Sequence, residues 1–391
     1  MQEIKPTYSL RQLVLYFLKL GTTGFGGPVA LVGYMHKDLV EEKKWISEEE
    51  YKQGLALAQL APGPLAAQLG IYMGFVHYRY VGATLAGLAF IIPSFIMVVL
   101  LGMVYKLYGG LAWMQAVFYG VGAAVIGIIV ISTYKLTTKS IGKFNLESFK
   151  TNWLLWLFFI AGAAITAITQ QENILVFVAA GLLYMFVKAS PKWTFKRSMN
   201  PFVILQIGFW NYESSTLIKI GIFFAKAGAF VFGSGLAIVP FLHAGVVNEN
   251  HWLSEHQFLD AVAVAMITPG PVVITVGFIG YLVAGFPGAC VAAAATFLPC
   301  YLFTVLPAPY FKKIATNKSV KAFVDGITAA VVGALLGAVI VIATRSIIDI
   351  PTAVIAIVTG FLLVYYNKIK EPYIIVVAAI LGIILKEFIL K

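Results

Sequence analysis

The triplet Pro-Gly-Pro occurs twice, at Pro62, Gly63 and Pro64 and again at Pro269, Gly270 and Pro271, each time inside an apolar stretch, LALAQLAPGPLAAQLG and VAMITPGPVVITVG. Proline has no N–H to give and clashes with the turn before it, so a helix ends there, and proline is tolerated in the first turn of the next one. In hydrocarbon the freed backbone groups are acceptable only where protein buries them or where they line a watery cavity. A half-helix that starts there aims unpaired N–H groups and partial positive charge into the cavity, which is the geometry of an anion site. A kink used only for packing is the plain alternative for either copy alone.

A second pair of interruptions lies upstream, FGGP with Gly26 and Gly27, and FGSG with Gly233 and Ser234. Consecutive N–H groups there form a nest for an anion, while close helix packing by small residues explains the same glycines. Lys19 and Lys226 each stand seven residues ahead of a glycine of these pairs, in apolar sequence. An ionisable residue in a membrane segment is a functional candidate by default, and two lysines brought together would balance a dianion; snorkelling to the interface is the other reading. His36 and His243 are candidates to shuttle protons near neutral pH, with Glu48 and Glu255 as further proton-coupling candidates. Arg79 and Asp325 lack a matching charge in the other copy and are weaker candidates for gating.

The elements that must position these residues are membrane helices. Of 391 residues, 60% are hydrophobic and 12% charged, with a mean hydropathy of +0.89. Apolar stretches recur at the ~20-residue length that crosses a hydrocarbon core. The net charge of +11 comes largely from short loops between these stretches, so it reports orientation rather than nucleic acid. Cys290 and Cys300 lie in apolar sequence and suggest neither a disulfide framework nor a zinc site, and no metal or cofactor is implied. Candidate segments cover 10–35, 51–78, 82–106, 111–134, 152–170 and 173–188, then 213–242, 258–285, 287–309, 320–345, 351–366 and 372–389.

That six-plus-six pattern reflects a duplication. A shift of 207 residues places Lys19 on Lys226, His36 on His243, Trp45 on Trp252, Ser47 and Glu48 on Ser254 and Glu255, and one Pro-Gly-Pro on the other. From Lys19 to Gly70, 18 of 52 positions are identical without a gap, and one deleted residue later Pro93 meets Pro299. The chain divides into a first repeat (1–189), a connector (190–212) and a second repeat (213–391), the connector opening on the basic, proline-bounded stretch SPKWTFKRSMNP. Loop charges set the orientation. Lys135, Lys139, Lys143 and Lys150 follow the fourth segment of the first repeat, whereas Lys312, Lys313, Lys318 and Lys321 follow the third segment of the second. Cytoplasmic loops are rich in Lys and Arg, so the two repeats are expected to be inverted, each with five crossings and one re-entrant hairpin at its first segment.

Local signals fix the helix starts. Ser47 with Glu50, and Ser254 with Gln257, form Ser-x-x-Glu/Gln capping boxes flanked by the staple pairs Ile46–Tyr51 and Leu253–Phe258. Glu48 and Glu255 then fall in first turns, where the helix dipole favours a negative charge.

The order FGGP, His, Trp, Ser-Glu and Pro-Gly-Pro, present twice, resembles the chromate ion transporter superfamily in its two-domain form. The resemblance covers nearly the whole chain and is most specific from the FGG-type break through Pro-Gly-Pro. It implies a multi-pass carrier of a prokaryotic inner membrane, with halves of opposite topology, moving chromate and its analogue sulfate, commonly as efflux that confers chromate resistance. The carrier would have the lipid bilayer and a small inorganic oxyanion as its partners and would admit assembly as a homodimer. Two departures fall in the second copy, FGSG for FGGP and Thr268 for Ala61. A carrier or channel for another small anion, an organic acid or an amino acid is the rival reading; no nucleophile–base pair or cofactor loop points to an enzyme.

Overall fold

The computed structural model describes residues 7–25, 27–108, 112–170, 174–189, 215–230, 235–310, 317–366 and 371–386. Among them all regular structure is helical. Gly26, Gly233 and Ser234 lie outside the described residues.

The first half begins with α1 (Leu10–Thr23), capped by Ser9, and α2 (Gly27–Met35), which runs into a π-helical turn, His36–Glu42. The chain doubles back between them. Tyr8, before α1, stacks on Trp45, beyond the π turn, with ring centroids 4.8 Å apart. Next come α3 (Glu48–Leu60) and α4 (Leu65–Tyr108). Both expected capping boxes form, Ser47 with Glu50 and, at the start of α11 (Glu255–Ile267), Ser254 with Gln257. The staple residues Ile46, Tyr51, Leu253 and Phe258 are all buried.

A straight helix of 44 residues would be about 66 Å long, twice the hydrocarbon thickness. Instead α4 reverses at Arg79, where φ is 51° and ψ −139°. Gly74 and Gly82 then lie so close that a Cβ on either would strike the other's carbonyl, and Gly87 faces Ile71. The second copy repeats the device. α12 (Thr275–Val305) reverses at Ala284 and Gly285, bringing Gly280 against Gly288.

The same logic corrects one expectation. Residues 51–78 read as a single broken crossing, but the chain folds back at Pro62–Pro64. Gly54 has no room for a side chain beside the Tyr72 ring, and Glu50 reaches His77 at 3.4 Å. Each Pro-Gly-Pro therefore sits at the tip of a helical hairpin, so a half contains two hairpins rather than one. Proline removes donors at the bend, and glycine supplies the backbone conformation: φ is +144° at Gly63 and +96° at Gly270.

After the hairpins come α5 (Ala112–Ser140), the short α6 (Leu146–Thr151), α7 (Trp153–Thr169) and α8 (Ile174–Lys188). The second half runs α9 (Thr216–Ala229), α10 (Val239–His243), α11, α12, α13 (Lys318–Ser346), α14 (Ile350–Tyr365) and α15 (Glu371–Ile384). Among the described residues four stretches, Leu65–Tyr108, Trp113–Ser140, Val272–Tyr310 and Lys318–Thr344, are long and apolar enough to cross a membrane. The chain is an all-helical, multi-pass membrane protein.

The sequence repeats are not separate bodies. α7 and α8 pack on α13 of the other half, with Gly162 against the Ala330 carbonyl and Gly333 against that of Phe159. Reciprocally α14 and α15 pack on α5, with Gly120 against Ala378 and Gly127 against Ala356. Small residues let these backbones approach, as helix association in lipid requires. The later arms of α4 and α12 lie side by side and antiparallel: Thr84 meets Tyr301 hydroxyl to hydroxyl at 2.8 Å, and further along Phe95 faces Phe286 with ring centroids 6.4 Å apart.

Candidate functional site

The two hairpin tips lie in the interior. Gly63, Pro64, Pro269, Gly270 and Pro271 are buried and Pro62 is half-buried. Each tip packs against the other half at matching positions. A Cβ on Gly270 would collide with the Ser94 Oγ of α4, and one on Gly63 would lie 3.2 Å from the Cys300 Sγ of α12. Ser94 and Cys300 follow Pro93 and Pro299, the prolines the repeat alignment pairs. The Gly270 N–H also donates to the Gly24 carbonyl at 2.9 Å, so a tip of the second half joins the first break of the first half.

Backbone donors collect at these tips. In α4 the first main-chain bond within the helix is from the Gln68 N–H to the Pro64 carbonyl at 3.0 Å, which leaves the N–H groups of Leu65, Ala66 and Ala67 ahead of the ladder. Across the repeat a short 3₁₀ turn takes over, with the Ile274 N–H donating to the Pro271 carbonyl. Gln68 is fully buried; its Nε2 donates to the Pro62 carbonyl at 2.9 Å while its Oε1 has no hydrogen-bond partner among the described residues. Ser94, also fully buried, donates to the Gly21 carbonyl at 3.3 Å. Thr268, where the first copy has Ala61, donates its hydroxyl back to the Val264 carbonyl at 2.6 Å.

The remaining expected site residues lie elsewhere. Lys19 and Lys226 stand on the exposed faces of α1 and α9, opposite the buried Phe17, Leu20, Phe224 and Ala227. Lys19 shares its face with Gln12, Thr22 and Thr23. Gly27 opens α2. His36 and Glu48 do meet, at 2.8 Å, and so do His243 and Glu255, at 2.7 Å. Each pair ties the returning arm of the first hairpin to the start of the second. The His36 imidazole, followed by Lys52, holds the Glu48 carboxyl below its usual range. The two pairs differ in environment: the side chains of His243 and Glu255 are 3% and 18% exposed, those of His36 and Glu48 30% and 50%.

Sequence reasoning missed three participants, Ser94, Gln68 and Asp260. The alignment of Pro93 with Pro299 held the signal for Ser94. Gln68 had a weaker one, as the polar residue four positions after Pro64 in an apolar run. Asp260, buried on α11, accepts a hydrogen bond from the Tyr105 hydroxyl of α4 at 2.6 Å. Its aligned residue in the first half is the neutral Gln53, so the repeat conceals it.

Main-chain donors thus collect where each hairpin tip packs on the opposite half. The chromate transporter family matches residues 11–185 and 218–383, one match per repeat. A chromate transport protein of Cupriavidus metallidurans is 64% identical over 384 residues, covering 97% of this chain and 94% of that protein. A probable chromate transport protein of Synechococcus elongatus is 57% identical over 97% of both chains, and a chromate transport protein of Pseudomonas aeruginosa is 29% identical over 97% of this chain and 94% of its own. No solved structure matches. With both repeats matched in full sequence order, the chain belongs to the chromate transporter family.

Proposed function

We propose that this protein carries chromate, and sulfate as a tetrahedral analogue, out of the cell across the prokaryotic inner membrane by alternating access between two inverted repeats. The observation that carries this reading is the matched packing of each Pro-Gly-Pro tip on the opposite half, Gly270 on Ser94 and Gly63 on Cys300. A site built from both halves changes its exposure when one half rocks against the other.

The inverted arrangement is supported by the antiparallel arms of α4 and α12 and by the placement of charge. α7 and α8 are antiparallel neighbours, and the Ser319 hydroxyl at the start of α13 donates to the Ala189 carbonyl just past α8. The end of α5, with Lys135 and Lys139, and the start of α13, with Lys318 and Lys321, thus share one end of the bundle, which we take as cytoplasmic.

In this reading the oxyanion is held near the midplane by the main-chain N–H groups of Gly63, Gly270 and the first helical residues after Pro64 and Pro271, Pro62 and Pro269 shaping the two tips, and Gly26, Gly27, Gly233 and Ser234 remain candidate donors. Lys19 and Lys226 line the approach and draw the dianion in, and the His36–Glu48 and His243–Glu255 pairs are candidates to carry protons. A negative-inside potential favours expulsion of a dianion at about 2.3 kcal/mol per charge per 100 mV.

Uptake into proteoliposomes from a panel of anions, with imposed potential and pH gradients, tests the proposal. Saturable chromate movement, competed by sulfate and accelerated by a potential negative on the side of origin, is the expected result. If neither anion moves or competes, the reading fails; current without saturable counterflow makes the protein a channel.

A further inference from the structure

A cavity of about 850 Å³ lies away from the hairpin tips, between the starts of α5 and α11 and the ends of α4 and α15. Its rim carries the exposed Lys106, His256 and Lys386, and its wall includes Tyr105, Tyr119 and the buried carboxylate of Asp260. A basic rim above a buried acid is an unusual surface for a carrier of anions.

We infer that Asp260, held by Tyr105 from the other half, carries a proton together with each oxyanion that passes through this cavity, so that anion and proton move as one complex. The inference rests on the proposed carrier function and adds to it the coupling ion and the residue that binds it. Asp260 is 6% exposed, and among the described residues it has no ion-pair partner; the Tyr105 hydroxyl is what holds it.

The groups facing Asp260 are Tyr105 and Lys106 from α4, Tyr119 from α5, His256 from its own helix and Lys386 beyond α15. α12 contributes the apolar Leu282, and among the described residues neither the 244–249 segment nor α13 brings a charged group to this wall. Asp349 accepts from the Tyr119 hydroxyl at 2.6 Å, and Asp325 on α13 has Lys321 and Tyr184 as its electrostatic neighbours.

An oxyanion held beneath Lys106, Lys386 and His256 on its way out lies against the Asp260 carboxylate in a poorly hydrated place. Like charges disfavour each other's ionised form, so the arriving anion favours protonation of the acid, and the neutral acid in turn favours the anion. A dianion with one proton still carries one net negative charge, so a negative-inside potential continues to drive it outward. Gln53 stands at the aligned position and donates to Glu49 at 2.9 Å, which leaves the device on one side of a duplicated fold.

The test uses the purified full-length protein in liposomes that hold a pH-sensitive dye, with the potential clamped at zero and chromate added outside. The wild type is expected to acidify the interior as chromate enters. Asp260→Asn should still exchange chromate while the proton signal falls at least tenfold. Tyr105→Phe keeps the carboxyl but removes the donor that favours its ionised form, so the pH midpoint of transport should rise by about one unit. A full proton signal in Asp260→Asn overturns the inference, as does an unmoved midpoint in Tyr105→Phe, which decides the matter if the Asn variant does not fold. A wild type that moves no oxyanion at all sinks the carrier reading instead.

Discussion

The Gly270 N–H donates to the Gly24 carbonyl over 2.9 Å, joining the tip of a hairpin in the second half to the first helix break of the first half. Two interruptions 246 residues apart in sequence thus share a hydrogen bond (270 − 24 = 246). In the proposed cycle this donor would pass from the Gly24 carbonyl to the oxyanion as one half rocks against the other.

The glycines of the tips should resist replacement. Gly270→Ala places a methyl group on the Ser94 hydroxyl at a φ of +96°, and Gly63→Ala does so near Cys300 at +144°. Each is expected to cost about 1–3 kcal/mol and to abolish transport. Ser94→Ala should recover part of the stability lost in Gly270→Ala and none of that lost in Gly63→Ala, as read from thermal unfolding in detergent.

Lysine replacements probe the approach. Lys19→Ala and Lys226→Ala lie on exposed faces, so both variants should fold with little change in melting temperature. The apparent KM for chromate in liposomes should rise at least tenfold in each. Wild-type values in both would leave interfacial snorkelling as the account of these lysines.

The two His–Glu pairs should behave unequally although the repeat relates them. Breaking the enclosed pair with His243→Ala takes the imidazole from a nearly buried carboxylate, at a cost of about 2–3 kcal/mol. His36→Ala should cost little, because both partners reach solvent. Double-mutant cycles with Glu255→Gln and Glu48→Gln report the two coupling energies directly.

Acid should loosen the base of the first half. The side chain of His77, with Ser47 assisting, holds Glu50 well below the usual carboxylate range, at about 2. A depressed carboxylate contributes stability above its ordinary value of 4.5 and loses it as the pH falls toward 2. Glu50→Gln should therefore lower stability at pH 7, by about 1 kcal/mol once solvent screening is allowed for. The gap to the wild type should close between pH 4.5 and pH 2, which melting curves across that range would reveal.

Much of this architecture was legible because it is local. The capping boxes at Ser47 and Ser254 formed as their spacing required, since an N-cap needs only its own first turn. The helix ends at Pro62 and Pro269 follow from proline's missing donor. The duplication could be read by alignment alone.

What the sequence by itself determined, then, was composition-driven: membrane helices, their interruptions, and two copies of one plan. Tertiary structure decided the rest. The reversal at Arg79 lies in the residues HYRY, which contain neither glycine nor proline, and close contact of Gly74 with Gly82 sets it. Packing of α1 on α4 through Phe17 and Gly21 turned Lys19 to the exposed face. The exchange of α7 and α8 for α14 and α15, and the pairing of Asp260 with Tyr105, join residues far apart in the chain. Backbone stereochemistry acts within a turn or two and is written in local sequence. Which faces meet depends on the shapes of distant helices, and no spacing along one strand of sequence encodes that.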